Sequence, residues 1–137
     1  MDMLEHLSRK YQAERLILAF DPIPPLFRHL LYPAYKQGRP PSPDGFVYQC
    51  GELRDYLSSE GYLSVEVDGY EADDIIGTLS KRAKESGFKT TIATCDLDLL
   101  QLVNDQVSVE VFSQYWPTRI FNVKKTRARF KGLSPSQ

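Results

Sequence analysis

The chain has 137 residues, of which 42% are hydrophobic and 26% charged, and its formal net charge is -1. This length and composition suit one globular domain with a buried core, and the near-zero charge gives no global sign of nucleic-acid binding. No apolar run approaches the ~18 residues of a membrane span, and the N-terminal residues do not have the basic, then apolar, then small-residue order of a signal peptide, so we expect a cytoplasmic protein without a membrane partner. Cys50 and Cys95 are far apart, which argues against a disulfide framework and against a structural zinc site.

The first third of the chain is predicted to contain a helix, a strand and a proline-rich segment. Residues 1–11 have apolar positions at helical spacing, and "RLILAF" is a short apolar run typical of a buried strand, which ends at Asp21. Residues 22–45 contain seven of the nine prolines, which argues against regular structure over most of this basic segment. Its middle, residues 26–31, is predicted to form one or two helical turns.

The rest of the chain alternates between predicted helices and strands. A helix over residues 46–60 is expected to end at Gly61, and "YLSVEV" follows as a strand. A helix from Glu71 to Gly87 precedes the strand "KTTIAT", the short helix "LDLLQLV" and the strand "VSVEVF". The last predicted helix is "NVKKTRARFK", ended by Gly132 and Pro135. This alternation predicts an α/β domain with a mostly parallel central sheet flanked by helices.

Acidic residues follow three of the predicted strands. In open parallel sheets, ligands bind at the carboxyl ends of the strands. Asp21 follows "RLILAF", two aspartates follow "KTTIAT", and "GYEADDIIGTL" opens the helix after "YLSVEV" with three acids. The sequence therefore predicts that six carboxylates lie together at one edge of one sheet: Asp21, Glu71, Asp73, Asp74, Asp96 and Asp98.

Two explanations compete for the acidic cluster before the helix. Acids in a first turn often serve only to cap the helix and to complement its dipole. Six mutually repelling carboxylates at one place are costly, however, unless cations compensate them. At ~100° per residue, Glu71 and Asp74 lie about 60° apart and Asp73 points elsewhere, so the set would serve two ions, or one ion and its waters.

The chemistry of these ligands favours hard metal ions. Oxygen donors without a supporting His or Cys set suit Mg²⁺ or Mn²⁺. Two such ions ~4 Å apart can activate a water and stabilise the leaving oxygen of a phosphodiester, which points to nucleic-acid hydrolysis. The stretch "DLDLL" lacks the later acids and glycine of a calcium loop, and also the hydroxyl residue expected after an aspartyl nucleophile.

Five sequence blocks, in order, resemble one family. These blocks are "AFD", "FRHLLYPAYKQGRPPSP", "GYEADDIIGTL", "TCDLDLLQLV" and "FKGLSPSQ". They resemble the 5′→3′ nuclease domain attached to bacterial type I DNA polymerases, which is related to flap endonucleases, and the similarity extends from Glu14 to Gln137. The resemblance implies a PIN-like fold, with a largely parallel sheet between helices, and a DNA substrate with 5′ ends or flaps.

The resemblance also implies roles for individual residues. The six carboxylates match positions that bind two divalent ions, directly or through water, with Asp73, Asp74, Asp96 and Asp98 expected to be catalytic. Residues 22–45 match a mobile arch, in which Arg28, Tyr35, Lys36 and Arg39 are expected to contact DNA and Lys36 and Arg39 to stabilise charge on the phosphate. In the basic stretch "KKTRARFK", Lys124 and Lys125 are further predicted DNA-binding residues.

The sequence departs from the family pattern at both ends and at Leu97, where the family usually has a basic residue. We therefore expect residues 1–137 to form a partial domain that lacks the usual first strand, with its aspartate, and the C-terminal DNA-binding helices. A polymerase or a separately encoded segment would complete it. Three functions stay open: a metal-dependent 5′→3′ exonuclease and flap endonuclease, a non-catalytic nucleic-acid-binding remnant or regulatory module, and a fragment without an independent role.

Overall fold

The computed structural model describes residues 2–115 and 117–134. It divides into two compact units, an N-terminal unit that extends to Ile75 and a C-terminal unit that begins at Ile76. Residues 135–137, which include Pro135 of the predicted helix stop, lie outside the described residues. Within the described ranges, no helix is both long and apolar enough to cross a membrane.

The N-terminal unit contains three helices and two strands. In chain order these are α1 (Asp2–Tyr11), β1 (Ile17–Ala19), α2 (Phe27–Leu31), α3 (Phe46–Ser59) and β2 (Leu63–Val65). Strands β1 and β2 pair in parallel, with Ile17 opposite Leu63 and Ala19 opposite Val65. Because β1 ends at Ala19, the chain delivers Asp21 to the carboxyl end of this strand pair.

The end of α3 confirms the role predicted for Gly61. Gly61 has a φ of 81°, a left-handed conformation that is open to glycine without steric cost. The amide of Gly61 donates to the carbonyl of Ser58 at 3.1 Å, and the amide of Tyr62 donates to that of Leu57 at 2.9 Å. These two bonds satisfy the last carbonyls of the helix and turn the chain into β2.

The C-terminal unit is built around a three-stranded sheet. Its elements are most of α4 (Ala72–Glu85), β3 (Thr90–Thr94), a 3₁₀ helix (Asp98–Leu102), β4 (Val107–Val111), β5 (Arg119–Phe121) and α5 (Val123–Arg129). Strands β3 and β4 are parallel, whereas β4 and β5 are antiparallel. The apolar core consists of Ile92, Leu99, Leu100, Val103, Val107, Val109 and Phe121. Burial of Leu99 and Leu100 anchors the segment that follows Asp96 and Asp98 against this sheet.

The α/β class and the mostly parallel pairing predicted from the sequence are confirmed. Two of the three strand pairings are parallel, and each predicted helix and strand is present within a few residues of its expected bounds. The described strands form a two-stranded and a three-stranded sheet rather than one continuous ladder. Strand β5 was not predicted from the sequence; it is only three residues long and begins two residues after Pro117.

Candidate functional site

The first turn of α4 is capped by two of the predicted site carboxylates. Asp74 Oδ2 accepts a hydrogen bond from the amide of Glu71 at 3.0 Å, and Asp21 Oδ1 accepts one from the amide of Ala72 at 2.7 Å. These amides have no acceptor within the helix, so both side chains stabilise the helix start. Helix capping thus accounts for the hydrogen bond that one oxygen of each carboxylate accepts, and it explains why Asp21 lies beside α4.

Arg28 joins two of the acids at this helix start. Its guanidinium donates two hydrogen bonds to Asp74, at 2.6 Å to Oδ2 and 2.8 Å to Oδ1, and lies 2.9 Å from Glu71 Oε2. A bidentate arginine–carboxylate pair is among the stronger polar interactions in proteins. Arg28, from the segment predicted to be an arch, therefore neutralises part of the acidic cluster.

Glu71 is held by two further residues of the same segment. Tyr35 donates its hydroxyl hydrogen to Glu71 Oε2 at 2.9 Å, and the Lys36 ammonium forms a close ion pair with Glu71 Oε1. Lys36 adopts a φ of 57°, a left-handed backbone conformation that costs on the order of 1 kcal/mol or more for a residue with a Cβ atom. The pairing with Glu71 helps to offset this cost.

These contacts shift the proton affinity of the groups involved. Burial alone would raise the pKa of the Glu71 carboxyl. The bonds from Lys36 and Tyr35 and the charge of Arg28 together lower it by more, so the pKa lies below its ordinary value. The bond from Arg28 holds the pKa of Asp74 below its ordinary value and raises the pKa of Arg28. Burial and the bond to Glu71 raise the pKa of Tyr35. Glu71 and Asp74 are therefore ionised at neutral pH, and the Arg28 guanidinium beside them is charged.

Acid is expected to destabilise the N-terminal unit through Glu71 and Asp74. Because folding lowers both pKa values, their contribution is present above the unfolded values of about 4.5 and 3.8 and is lost as pH falls through the lower folded values. We expect the urea midpoint of metal-free protein to fall steeply below pH ~4.5. A Glu71→Gln/Asp74→Asn variant should show a shallower acid slope, whereas Glu5→Gln, on the surface of α1, should keep the wild-type slope. Parallel slopes in all three proteins would contradict the expectation.

The C-terminal unit places Asp96 and Asp98 close together after β3, with Asp98 as the first residue of the 3₁₀ helix. The amide of Asp96 donates to Thr94 Oγ1 at 2.9 Å, and the amide of Asp98 donates to Asp96 Oδ1 at 2.8 Å. Both aspartate side chains are exposed, whereas the next two residues, Leu99 and Leu100, are buried in the core and anchor this segment. The structure thus groups Asp21, Glu71 and Asp74 in one unit and Asp96 and Asp98 in the other, while the gathering of all six carboxylates stays a prediction. Asp73 is exposed in the first turn of α4.

The donor atoms of both groups fit a hard divalent ion. All are carboxylate oxygens, the ligands that Mg²⁺ and Mn²⁺ prefer. As they stand, no group of three or more His, Cys, Asp or Glu side chains in the described part of the chain is arranged to hold a metal ion. In the N-terminal unit, Arg28, Tyr35 and Lys36 already bond to oxygens of Glu71 and Asp74.

The predicted DNA-binding residues fall into two groups. Arg28, Tyr35 and Lys36 face the carboxylates, whereas Arg39 is exposed. Lys124 and Lys125 are exposed on α5. Arg119 on β5 was not among the residues singled out from the sequence, and Arg129, the last residue of α5, was noted only as part of the basic stretch "KKTRARFK". The absence of any acidic residue after Glu110 is the sequence signal for both.

Comparisons with known proteins agree with this fold. Residues 1–131 match the family described as the 5′-3′ exonuclease, N-terminal resolvase-like domain. The chain is 41% identical to DNA polymerase I of Streptococcus pneumoniae over 133 residues, and 37% identical to that of Chloroflexus aurantiacus over 131 residues. These matches cover 97% and 93% of the chain but 14% of each polymerase.

Solved structures of bacteriophage T5 proteins share the fold. The chain matches the T5 5′-exonuclease with bound zinc at a TM-score of 0.73 and 18% identity, over 95% of this chain and 51% of that one. It matches the T5 D15 flap endonuclease D155K in complex with DNA and metal ions at a TM-score of 0.73 and 18% identity, over 95% of this chain and 50% of that one. The fold is PIN-like, and the chain belongs to the 5′-3′ exonuclease family through its N-terminal resolvase-like domain.

Proposed function

We propose that the protein hydrolyses DNA phosphodiester bonds as a divalent-metal-dependent 5′→3′ exonuclease and flap endonuclease. The observation that carries the proposal is the set of carboxylates at the start of α4. Asp21 and Asp74 cap the helix, and Glu71 and Asp74 pair with basic side chains from residues 22–45. In a family of nucleases, carboxylates can bind metal ions, and basic side chains beside them can bind a phosphate.

Each part of the cluster would have a separate task. The six predicted carboxylates would hold Mg²⁺ or Mn²⁺, which supply a reactive water and stabilise the leaving oxygen when bound. Lys36 and Arg39 would stabilise negative charge on the phosphate, and Arg28 and Tyr35 would orient the 5′ strand. The polymerase relatives support a cytoplasmic role at DNA ends or flaps, beside a DNA polymerase or a separately encoded completing segment.

The test is cleavage of a 5′-labelled flap DNA with Mg²⁺ or Mn²⁺, with a chelator as the control. We expect short 5′ products that require metal and are absent with the chelator. A duplex without a flap, and an RNA flap of the same sequence, would define the preferred substrate. Retained DNA binding and cooperative melting without cleavage under any metal would overturn the proposal in favour of a non-catalytic nucleic-acid-binding module.

A further inference from the structure

The last part of the chain is uniformly basic. Residues 111–137 contain six basic residues and no acidic residue, although the whole chain has a net charge of -1. The six are Arg119, Lys124, Lys125, Arg127, Arg129 and Lys131, and all are exposed. Within the described residues, none of the six forms an ion pair with a carboxylate. Their charge is therefore available to an anionic partner.

Three of these cations line one open groove. The groove has a volume of about 620 Å³, and Arg119, Lys125 and Arg129 lie along it with Phe121. A second groove, of about 450 Å³, is also lined by Arg119 and Arg129 and extends to Cys95 and Leu97, the neighbours of Asp96. Arg119 and Arg129 thus line both grooves, which extend from the basic helix α5 to the acidic segment after β3.

The strand register fixes how far Arg119 lies from this loop. Val111 pairs with Thr94 on one side and with Arg119 on the other, so the three residues form one row across the sheet. Two inter-strand spacings of about 4.8 Å place the Arg119 backbone roughly 10 Å from that of Thr94. Because Thr94 is the last residue of β3, Arg119 lies level with the carboxyl end that carries Asp96.

The basic side chains stand on a well-anchored helix. Asn122 caps α5 by accepting a hydrogen bond from the Lys125 amide at 3.1 Å, and Thr126 is 1% exposed. The Arg129 guanidinium lies 5.9 Å from the ring centroid of Phe121, a contact that favours a cation over an aromatic face. The backbone of α5 is thus held on its buried side, while its cations face solvent.

We propose that this surface, formed by Arg119, Lys125 and Arg129, binds the sugar-phosphate backbone of duplex DNA beside the Asp96 loop. The proposal rests on the proposed function, since it assigns the binding of the duplex part of the same substrate. When exposed cations without ion-pair partners bind the phosphates of a duplex, they release its condensed counterions, and this release increases the affinity of the protein for DNA. Phe121, the aromatic residue of the groove, is only 7% exposed and offers no platform for unpaired bases, so the backbone of a duplex fits better than a single strand.

The test measures DNA binding in the presence of a chelator, so that it does not depend on cleavage. Fluorescence anisotropy would compare wild-type protein with Arg119→Gln/Lys125→Gln/Arg129→Gln on a labelled duplex over a range of salt concentrations. We expect the variant to bind about tenfold more weakly, and the slope of log affinity against log salt to fall by about 2 to 3, near 0.9 for each lost phosphate contact.

A matched variant separates this surface from overall charge. Lys81→Gln/Arg82→Gln/Lys89→Gln also removes three exposed positive charges outside the grooves and should keep the wild-type slope. Equal losses in both triple variants, or a loss confined to single-stranded DNA, would overturn the proposal. If the groove variant unfolds, Arg119→Gln alone should lower the slope by about 0.9. Duplex binding through this surface without cleavage would refute the proposed function and leave this inference standing.

Discussion

Asp96→Asn and Asp73→Asn are each expected to lower the metal-dependent cleavage of a 5′-flap DNA by about a hundredfold or more. Either change removes one negative charge and leaves a side chain of nearly the same shape. At Asp96 the asparagine oxygen can still accept the hydrogen bond from the Asp98 amide, so the loop keeps its turn. The loss would therefore report the charge that holds an ion, rather than a change of local structure.

The matched control is Asp105→Asn. Asp105 is an exposed carboxylate of the C-terminal unit and pairs with Lys84 at 2.9 Å, away from every predicted site residue along the chain. Initial rates at saturating Mn²⁺, with thermal melts of all variants, would separate activity from folding. Rates equal to wild type in both Asp96→Asn and Asp73→Asn would show that these residues do not hold the catalytic ions.

The sequence predicted the elements better than it predicted the contacts between them. Gly61 marks the end of α3 through its local conformation, and the alternation of apolar runs indicates the parallel strands; both signals lie within a few residues of the feature they predict. The bidentate pair between Arg28 and Asp74 joins residues 46 positions apart, and hydrophobic periodicity in the sequence does not indicate such a contact. The sequence identified the basic and the acidic segments, but not which of their side chains would pair.

The acidic cluster illustrates the same limit at shorter range. Helix periodicity placed Glu71 and Asp74 on one side of α4, as if both were within its regular turns. In the structure Glu71 precedes α4 and its amide is capped by Asp74, because a helix start needs acceptors for its free amides. The identity of the acidic residues was therefore predictable, whereas the division of their oxygens between helix capping and cation binding required the structure.

Arg28→Gln is expected to destabilise the metal-free protein by about 2 kcal/mol. The change removes an arginine that contacts both Glu71 and Asp74, and it leaves Glu71, whose side chain is 10% exposed, with less compensating charge. The Arg28 side chain is itself 31% exposed, so the loss should be smaller than for a fully buried pair. Urea unfolding in the presence of a chelator would measure it.

The control for this variant is a surface pair with the same chemistry. Arg9 lies 3.2 Å from Glu5, and the two side chains are 82% and 48% exposed, so solvent already screens their attraction. Arg9→Gln should change the free energy of unfolding by less than about 0.5 kcal/mol. Equal effects of Arg9→Gln and Arg28→Gln would mean that the cluster contributes no more than an ordinary surface ion pair.

Divalent ions should distinguish these variants further. Because Arg28 bonds to both oxygens of Asp74, an ion that binds this carboxylate competes with the guanidinium. With Arg28 removed, that competition is absent and the remaining acidic charge is larger, so Mn²⁺ should raise the melting temperature of Arg28→Gln more than that of wild type. The same shift in both proteins would show that the ion does not compete for Asp74. A larger shift in the variant would show that Arg28 occupies the place of a metal ion beside Asp74 in metal-free protein. The contacts that stabilise the cluster would then also lower its affinity for metal.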